Sequence, residues 1–174
     1  NFRLIIYICV YNPKNFSCMI NRGLYMEQIT PFIDKPFVKV ITGIRRCGKS
    51  VVLRLIREEL LRRGVSEDYI IYMNFESFEW IDMKEAKALY AHIREATKAS
   101  GKYYILLDEI QEVTDWEKAV NAFLVDLDVD IYVTGSNSRL LSSEFSTYLA
   151  GRYVAFHIMT LSFKEYLLFH NLSL

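Results

Sequence analysis

The sequence predicts an α/β protein of three layers: a mostly parallel, five-stranded sheet with helices on both faces. Three observations carry this expectation. From residue 37 onward, short apolar runs alternate with segments of helical periodicity. The runs lack the polar alternation of a half-exposed strand, so each fits a parallel strand covered on both faces. Polar clusters fall just past the ends of the runs, where sheets of this kind bind ligands.

The elements follow in order. Residues 37–42 read as the first buried strand. Residues 50–63 are helical, with Val52, Leu55, Ile56 and Leu60 on one face and Gly64 as the stop. Residues 69–74 (YIIYMN) form the second strand. Asp82 is the expected cap of the next helix, with Glu85 three residues on. Ala86, Leu89, Tyr90 and Ile93 give its inner face, and Gly101 ends it. Residues 103–108 (YYILLD) form the third strand. Thr114 and Glu117 have the spacing of a capping box, and Val120, Phe123, Leu124 and Leu127 continue that helix. Residues 131–134 form the fourth strand, 143–150 a short helix, 153–159 the fifth strand and 162–170 the start of another helix.

Composition narrows the class. The chain has 174 residues, 52% hydrophobic and 24% charged, with 7 Gly and 3 Pro, which suits one globular domain. Lys plus Arg and Asp plus Glu both count 21, so no overall field draws the chain to nucleic acid or an anionic membrane. Three cysteines, Cys9, Cys18 and Cys47, form no disulfide framework, which predicts a cytoplasmic, reducing environment. The early run LIIYICVY is far short of the roughly 20 residues needed to span a bilayer, so no membrane role is expected. Residues 1–18 differ in character from the rest and read as an N-terminal extension, with Met19 as the natural beginning, or as an ordinary edge strand. Residues 19–174 then form the core.

The stretch GIRRCGKS, residues 43–50, lies between the first strand and the first long helix. That is the context required by the phosphate-binding pattern G-x-x-x-x-G-K-S. Glycines let the backbone turn so that successive N–H groups point at phosphate oxygens, and the helix N-terminus adds partial positive charge. The expected nucleotide-binding stretch is Gly43, Ile44, Arg45, Arg46, Cys47, Gly48, Lys49, Ser50 and Val51. Lys49 is placed to reach the β and γ phosphates, and the Ser50 hydroxyl to bind Mg²⁺. Arg45 and Arg46 read as contacts to phosphate or to a neighbouring subunit, or as solvated charges. Cys47 sits where a thiol pKa can fall, but a small spacer without chemistry is the favoured reading.

YYILLDEIQ supplies the acidic partner. Asp108 at the strand end is expected to hold Mg²⁺, and Glu109 to polarise water against the γ-phosphate. IYVTGSNSRLLS puts Thr134, Ser136 and Asn137 past the fourth strand, where Asn137 or Ser136 could position that water. The other reading is a Gly-Ser-Asn turn. Arg152 in LAGRY reads as an arginine finger at a subunit edge or as a surface charge.

Together these residues resemble the AAA+ superfamily of P-loop ATPases. GIRRCGKS looks like its Walker A motif and YYILLDEIQ like its Walker B. Asn137 looks like sensor 1, and Arg152 falls near the arginine-finger position. GIRRCGKS, LLDEIQEVTDWE, TGSNSRLL, LAGR and LSFKEYL also resemble a prokaryotic group of AAA-type ATP-binding proteins with an additional C-terminal domain of unknown function. The likeness runs from about Met19 to Leu174 and departs at Thr160, where the group has proline. It implies a P-loop NTPase fold, ATP and Mg²⁺ as ligands, and a helical lid and C-terminal domain beyond this chain.

The expected function is Mg-dependent ATP hydrolysis coupled to conformational change. The alternative is a nucleotide-gated switch with little turnover. A small-molecule kinase fits Glu109 less well, and a GTPase lacks an Asn-Lys-x-Asp motif. His92, His157 and His170 lack metal-ligand spacing, and Trp80 and Trp116 read as packing residues. Arg54, Arg57, Arg62 and Arg63 read as the solvated face of the first long helix. A homo-oligomer is compatible with the residues, and the client, whether DNA, RNA or protein, is not named by them.

Overall fold

The computed structural model describes residues 22–136, 140 and 148–169. A short helix α1 (Gly23–Ile29) precedes β1 (Val38–Gly43), α2 (Lys49–Arg62) and β2 (Ile70–Asn74). Then come α3 (Ala86–Ala96), β3 (Tyr103–Asp108), α4 (Trp116–Asp126), β4 (Val129–Gly135), β5 (Tyr153–Ile158) and α5 (Phe163–Phe169). The strands form one sheet in the order β2-β3-β4-β1-β5, and every pairing is parallel. β1 therefore lies between β4 and β5, with β4 separating it from β3.

Two apolar layers cover the sheet, and period-2 alternation sorts the side chains between them. Val38 and Val40 of β1, Ile105 and Leu107 of β3, and Ile131 and Val133 of β4 pack with Leu89 and Ile93 of α3 and Val120 and Phe123 of α4. Ile41, Leu106, Tyr132, Phe156 and Ile158 face the other way, against Tyr25 and Ile29 of α1 and Val52, Leu53, Ile56 and Leu60 of α2. All six residues of β1 and of β3 are buried, including Lys39 of β1, which pairs with Asp130. The three-layer, parallel-sheet expectation holds, and strand bounds shift by no more than two residues.

Several local expectations change. The buried face of α2 uses Leu53 where Leu55 was expected; Leu55 is half-buried. Gly64 does follow the helix: its N–H bonds Leu61 O at 2.9 Å and the Val65 N–H bonds Leu60 O at 3.1 Å, a Schellman pair. Asp82 caps nothing, because residues Phe78–Met83 wind into 3₁₀ turns and α3 starts beyond them at Ala86. α3 ends with Thr97, whose hydroxyl donates to Ile93 O at 2.9 Å, ahead of Gly101. The capping box at Thr114 does not form. Thr114 instead exchanges backbone bonds with Lys84 and Ala86, and α4 begins behind Asp115 with no side-chain cap. Leu127 is extended, outside α4. Trp116 is buried and Trp80 packs against the core and edge-on to His92. The short helix expected at 143–150, the extension 1–18 and Met19 lie mostly or wholly outside the described residues.

Candidate nucleotide-binding site

β1 ends at Gly43 and α2 begins at Lys49, so the GIRRCGKS stretch is the turn between the first strand and its helix. Close packing demands glycine at position 43: a Cβ there would lie 2.4 Å from Ile158 O and 2.6 Å from Cys47 Sγ. Gly48, the N-cap of α2, has φ of 97°, a left-handed conformation that favours glycine. Arg46 is left-handed too, with φ of 66°. Ile44, Arg45 and Arg46 are exposed, Cys47 and Lys49 are buried, and Ser50 and Val51 are half-buried. Arg45 reaches only to 4.0 Å from Glu76 across a solvated surface. Burial pushes the Cys47 thiol up, and the nearby Lys49 and Arg22 charges offset this only in part. Burial thus works against a thiolate at this helix N-terminus.

β3 delivers Asp108, fully buried, to its carboxyl end. Both carboxylate oxygens are held by hydroxyls. Thr134 Oγ1 donates to Oδ1, and Tyr72 OH donates to Oδ2 at 3.1 Å. Burial, then the Asp108 charge, raises the Tyr72 phenol, so it stays a donor at neutral pH. Thr134 also accepts the Glu109 N–H at 2.9 Å. One hydroxyl therefore ties β4 to both acidic residues. Thr134 lies inside β4, not past its end, and its partner is Asp108.

Glu109 has left-handed backbone, φ 54° and ψ 49°. Such a conformation in a non-glycine residue costs energy and is held in place by its surroundings. It breaks the strand direction, and the carboxylate meets Lys49: Oε1 lies 3.1 Å from Nζ. Gln111 Nε2 donates to Oε2 at 2.5 Å. Lys49, Asp108, Glu109 and Thr134 thus converge at the carboxyl ends of β1, β3 and β4, the place predicted for them.

Other candidates stand elsewhere. Arg152 precedes β5 at the amino end of the sheet, its carbonyl bonded to Val38 N and its guanidinium to Asn121 Oδ1 at 3.0 Å. It does not join the cluster around Lys49. Asn137 lies outside the described residues. Arg62 and Arg63 pair with Glu59, and Arg57 with Glu67, on the solvated face of α2 as expected. Arg54 is half-buried and acts electrostatically on Tyr72. Tyr72 and Gln111 were not singled out from the sequence. A tyrosine inside an apolar strand needs a partner for its hydroxyl, and that signal points to Tyr72.

The residues present fit a magnesium–nucleotide pair. Ser50 and Asp108 offer hard oxygen donors, and Mg²⁺ is held by one or two carboxylates plus phosphates, not by an all-protein cage. No cluster of three or more His, Cys, Asp or Glu suited to a metal occurs among the described residues. Among those residues, no helix is long and apolar enough to cross a membrane.

A family model described as "AAA domain" matches residues 35–167. An uncharacterized protein of Haemophilus influenzae is 47% identical over 152 residues, covering 87% of this chain and 38% of that protein. An uncharacterized protein of Methanocaldococcus jannaschii is 36% identical over 155 residues, covering 89% of this chain and 32% of its own length. The chain thus spans about a third of these curated relatives. A RuvB variant of Thermotoga maritima superposes with a TM-score of 0.57 at 14% identity, covering 90% of this chain and 51% of its own. AMPPCP-bound DnaA from Aquifex aeolicus gives 0.56 at 19%, covering 94% and 57%. Hsp104 in its closed state gives 0.62 at 11%, covering 88% and 29%. At these identities the solved structures establish the fold, a P-loop core of the AAA+ type, while the family match spans most of the chain: it belongs to the AAA domain family.

Proposed function

We propose that the chain binds Mg-ATP and forms the nucleotide core of an ATPase that couples hydrolysis to conformational change. The observation that carries this is the convergence of Lys49, Asp108 and Glu109 behind the Gly43–Gly48 turn, with Lys49 Nζ 3.1 Å from Glu109 Oε1. Backbone N–H groups of residues 43–51 would cradle the phosphates, and Lys49 would neutralise the β and γ groups. Ser50 and Asp108 would hold Mg²⁺, which spreads the phosphate charge when bound. Glu109 would take a proton from water, and its bond to Gln111 fixes the carboxylate's direction. Asn137 is the proposed partner of that water. Arg152, remote from Lys49 in its own chain, would act only on the site of a neighbouring copy.

A second reading, the nucleotide-gated switch, has its own support. Glu109 is engaged by both Lys49 and Gln111, and a carboxylate so engaged is a poor base until released. A helical lid and further domain beyond residue 174 belong to the proposal, in keeping with the greater length of the relatives. A cytoplasmic place belongs to it as well, from the cysteine usage. Steady-state ATP turnover of the intact protein tests both readings. Glu109→Gln should retain ATP binding and lose about 10²–10⁴ in rate. A wild type that binds ATP, turns over no faster than the variant and changes partner affinity would favour the switch.

A further inference from the structure

Arg22 lies upstream of every motif, yet it is among the most deeply buried side chains of the protein, at 2% exposure. Its guanidinium ties together three parts of the chain. Nη1 donates to Cys47 O at 2.6 Å, inside the phosphate-loop turn. Nη2 donates to Met159 O at 2.9 Å, just past β5. Nε donates to Glu165 Oε1 at 3.1 Å, in the first turn of α5. The group also stands 4.6 Å from the Tyr25 ring centroid, and Tyr25 OH in turn accepts the Met159 N–H at 3.0 Å. A guanidinium cannot shed its proton to escape burial, so these partners are what make its position tenable.

The bond to Cys47 O has a geometric consequence. Every peptide bond described is trans, so the C=O of Cys47 and the N–H of Gly48 lie in one plane and point in opposite directions. Holding the carbonyl outward against Arg22 directs the Gly48 N–H the other way, into the turn that precedes α2. Gly48 has to be left-handed to continue into the helix, and a Cβ on it would lie 3.2 Å from Arg22 Nη1. Glu165 is itself fixed. Its Oε2 accepts the Ser162 N–H at 2.8 Å, and its own N–H bonds Ser162 Oγ at 3.3 Å, a reciprocal cap. Burial works against the ionised form, but the Ser162 amide and hydroxyl and the Arg22 guanidinium outweigh it and hold the Glu165 carboxyl below its usual range.

We propose that Arg22 is a positioning residue for the phosphate loop, setting the Cys47–Gly48 peptide for anion binding, and that Glu165 links that setting to α5. This deepens the nucleotide-binding reading and rests on it. The pair gives the loop and the segment entering α5 a shared constraint, so nucleotide at the loop and movement of α5 oppose or assist each other through one guanidinium.

The test is calorimetric titration of Mg-ADP into the intact protein, with the Gly48 amide followed by NMR. Arg22→Gln is expected to weaken Mg-ADP by about tenfold or more. It should also reduce the downfield shift of the Gly48 amide at saturating ADP, and Arg22→Lys should recover part of both. A folded Arg22→Gln with unchanged affinity overturns the proposal. So does a loss of affinity in which the Gly48 amide responds as in wild type, because that is a merely structural effect. If Arg22→Gln does not fold, Glu165→Gln decides: weaker Mg-ADP supports the link and unchanged affinity overturns it. A wild type with no affinity for Mg-ADP overturns the nucleotide reading itself, whereas a wild type that binds beside variants that bind equally well overturns the clamp alone.

Discussion

Thr134 shows how much one buried hydroxyl can hold. It donates to Asp108 and accepts from the Glu109 amide, so the strand end that carries both acids is registered by a neighbouring strand. Thr134→Val keeps the shape and removes both bonds, leaving a fully buried carboxylate oxygen and an amide short of a partner. We expect a loss of about 1–3 kcal/mol, read from urea unfolding. A change within error would mean that the hydroxyl is dispensable and that Tyr72 alone secures Asp108. Glu109 is the complementary case. Its strained backbone is tolerated where its carboxylate meets Lys49, in keeping with strain held at a working site. Lys49, Asp108 and Glu109 were legible in the sequence because motif spacing names them. Tyr72 and Arg22 were not: their partners are 36 and 25 residues away in the chain, and only the fold brings them together.

At the scale of elements, the helices owe their faces to the sheet and their ends to local chemistry. α2 carries a solvated cluster in which Arg62 and Arg63 both bond Glu59, at 2.7 and 2.9 Å. Their side-chain bonds hold the Glu59 carboxyl at about 2. A carboxylate with a depressed folded-state pKa contributes stability above its unfolded value, and that contribution is lost as pH falls through the folded value. Between pH 4.5 and about 2, stability should therefore fall with this group, and Glu59→Gln should flatten that part of the acid limb. High salt should shrink the difference, because the pair faces solvent. An acid limb identical in wild type and variant would remove Glu59 from the account. β1, β3 and β4 were readable because burial on both faces leaves largely apolar runs, whereas β5, at the sheet edge, exposes Ala155 and His157. The caps were misread because tertiary bonds competed for the capping residues. Thr114 is drawn into a bridge with Glu85, and the residues around Asp82 are taken by 3₁₀ turns. α1 escaped notice because seven residues give too little periodicity; its anchors, Tyr25 and Ile29, matter only once β5 and α2 are in place.

For the whole molecule, strand order does what no single motif can. Placing β4 between β1 and β3 opens room between the phosphate turn and the acidic strand end, and puts Thr134 where it can touch Asp108. The sequence shows which runs are strands but not their order across the sheet, so this proximity was not readable from it. The central claim is that this arrangement is a Mg-ATP site, and thermal melting with and without Mg-ATP tests it most directly. At about 100 times its dissociation constant, a ligand bound only by the folded state adds about 2.7 kcal/mol. For a chain of this size that is a rise of about 5–10 °C in Tm. We predict that rise for the wild type and its loss in Lys49→Ala, which removes the buried ammonium from the phosphate path. A Tm that does not respond to Mg-ATP in the wild type, or that rises equally in Lys49→Ala, would contradict the account.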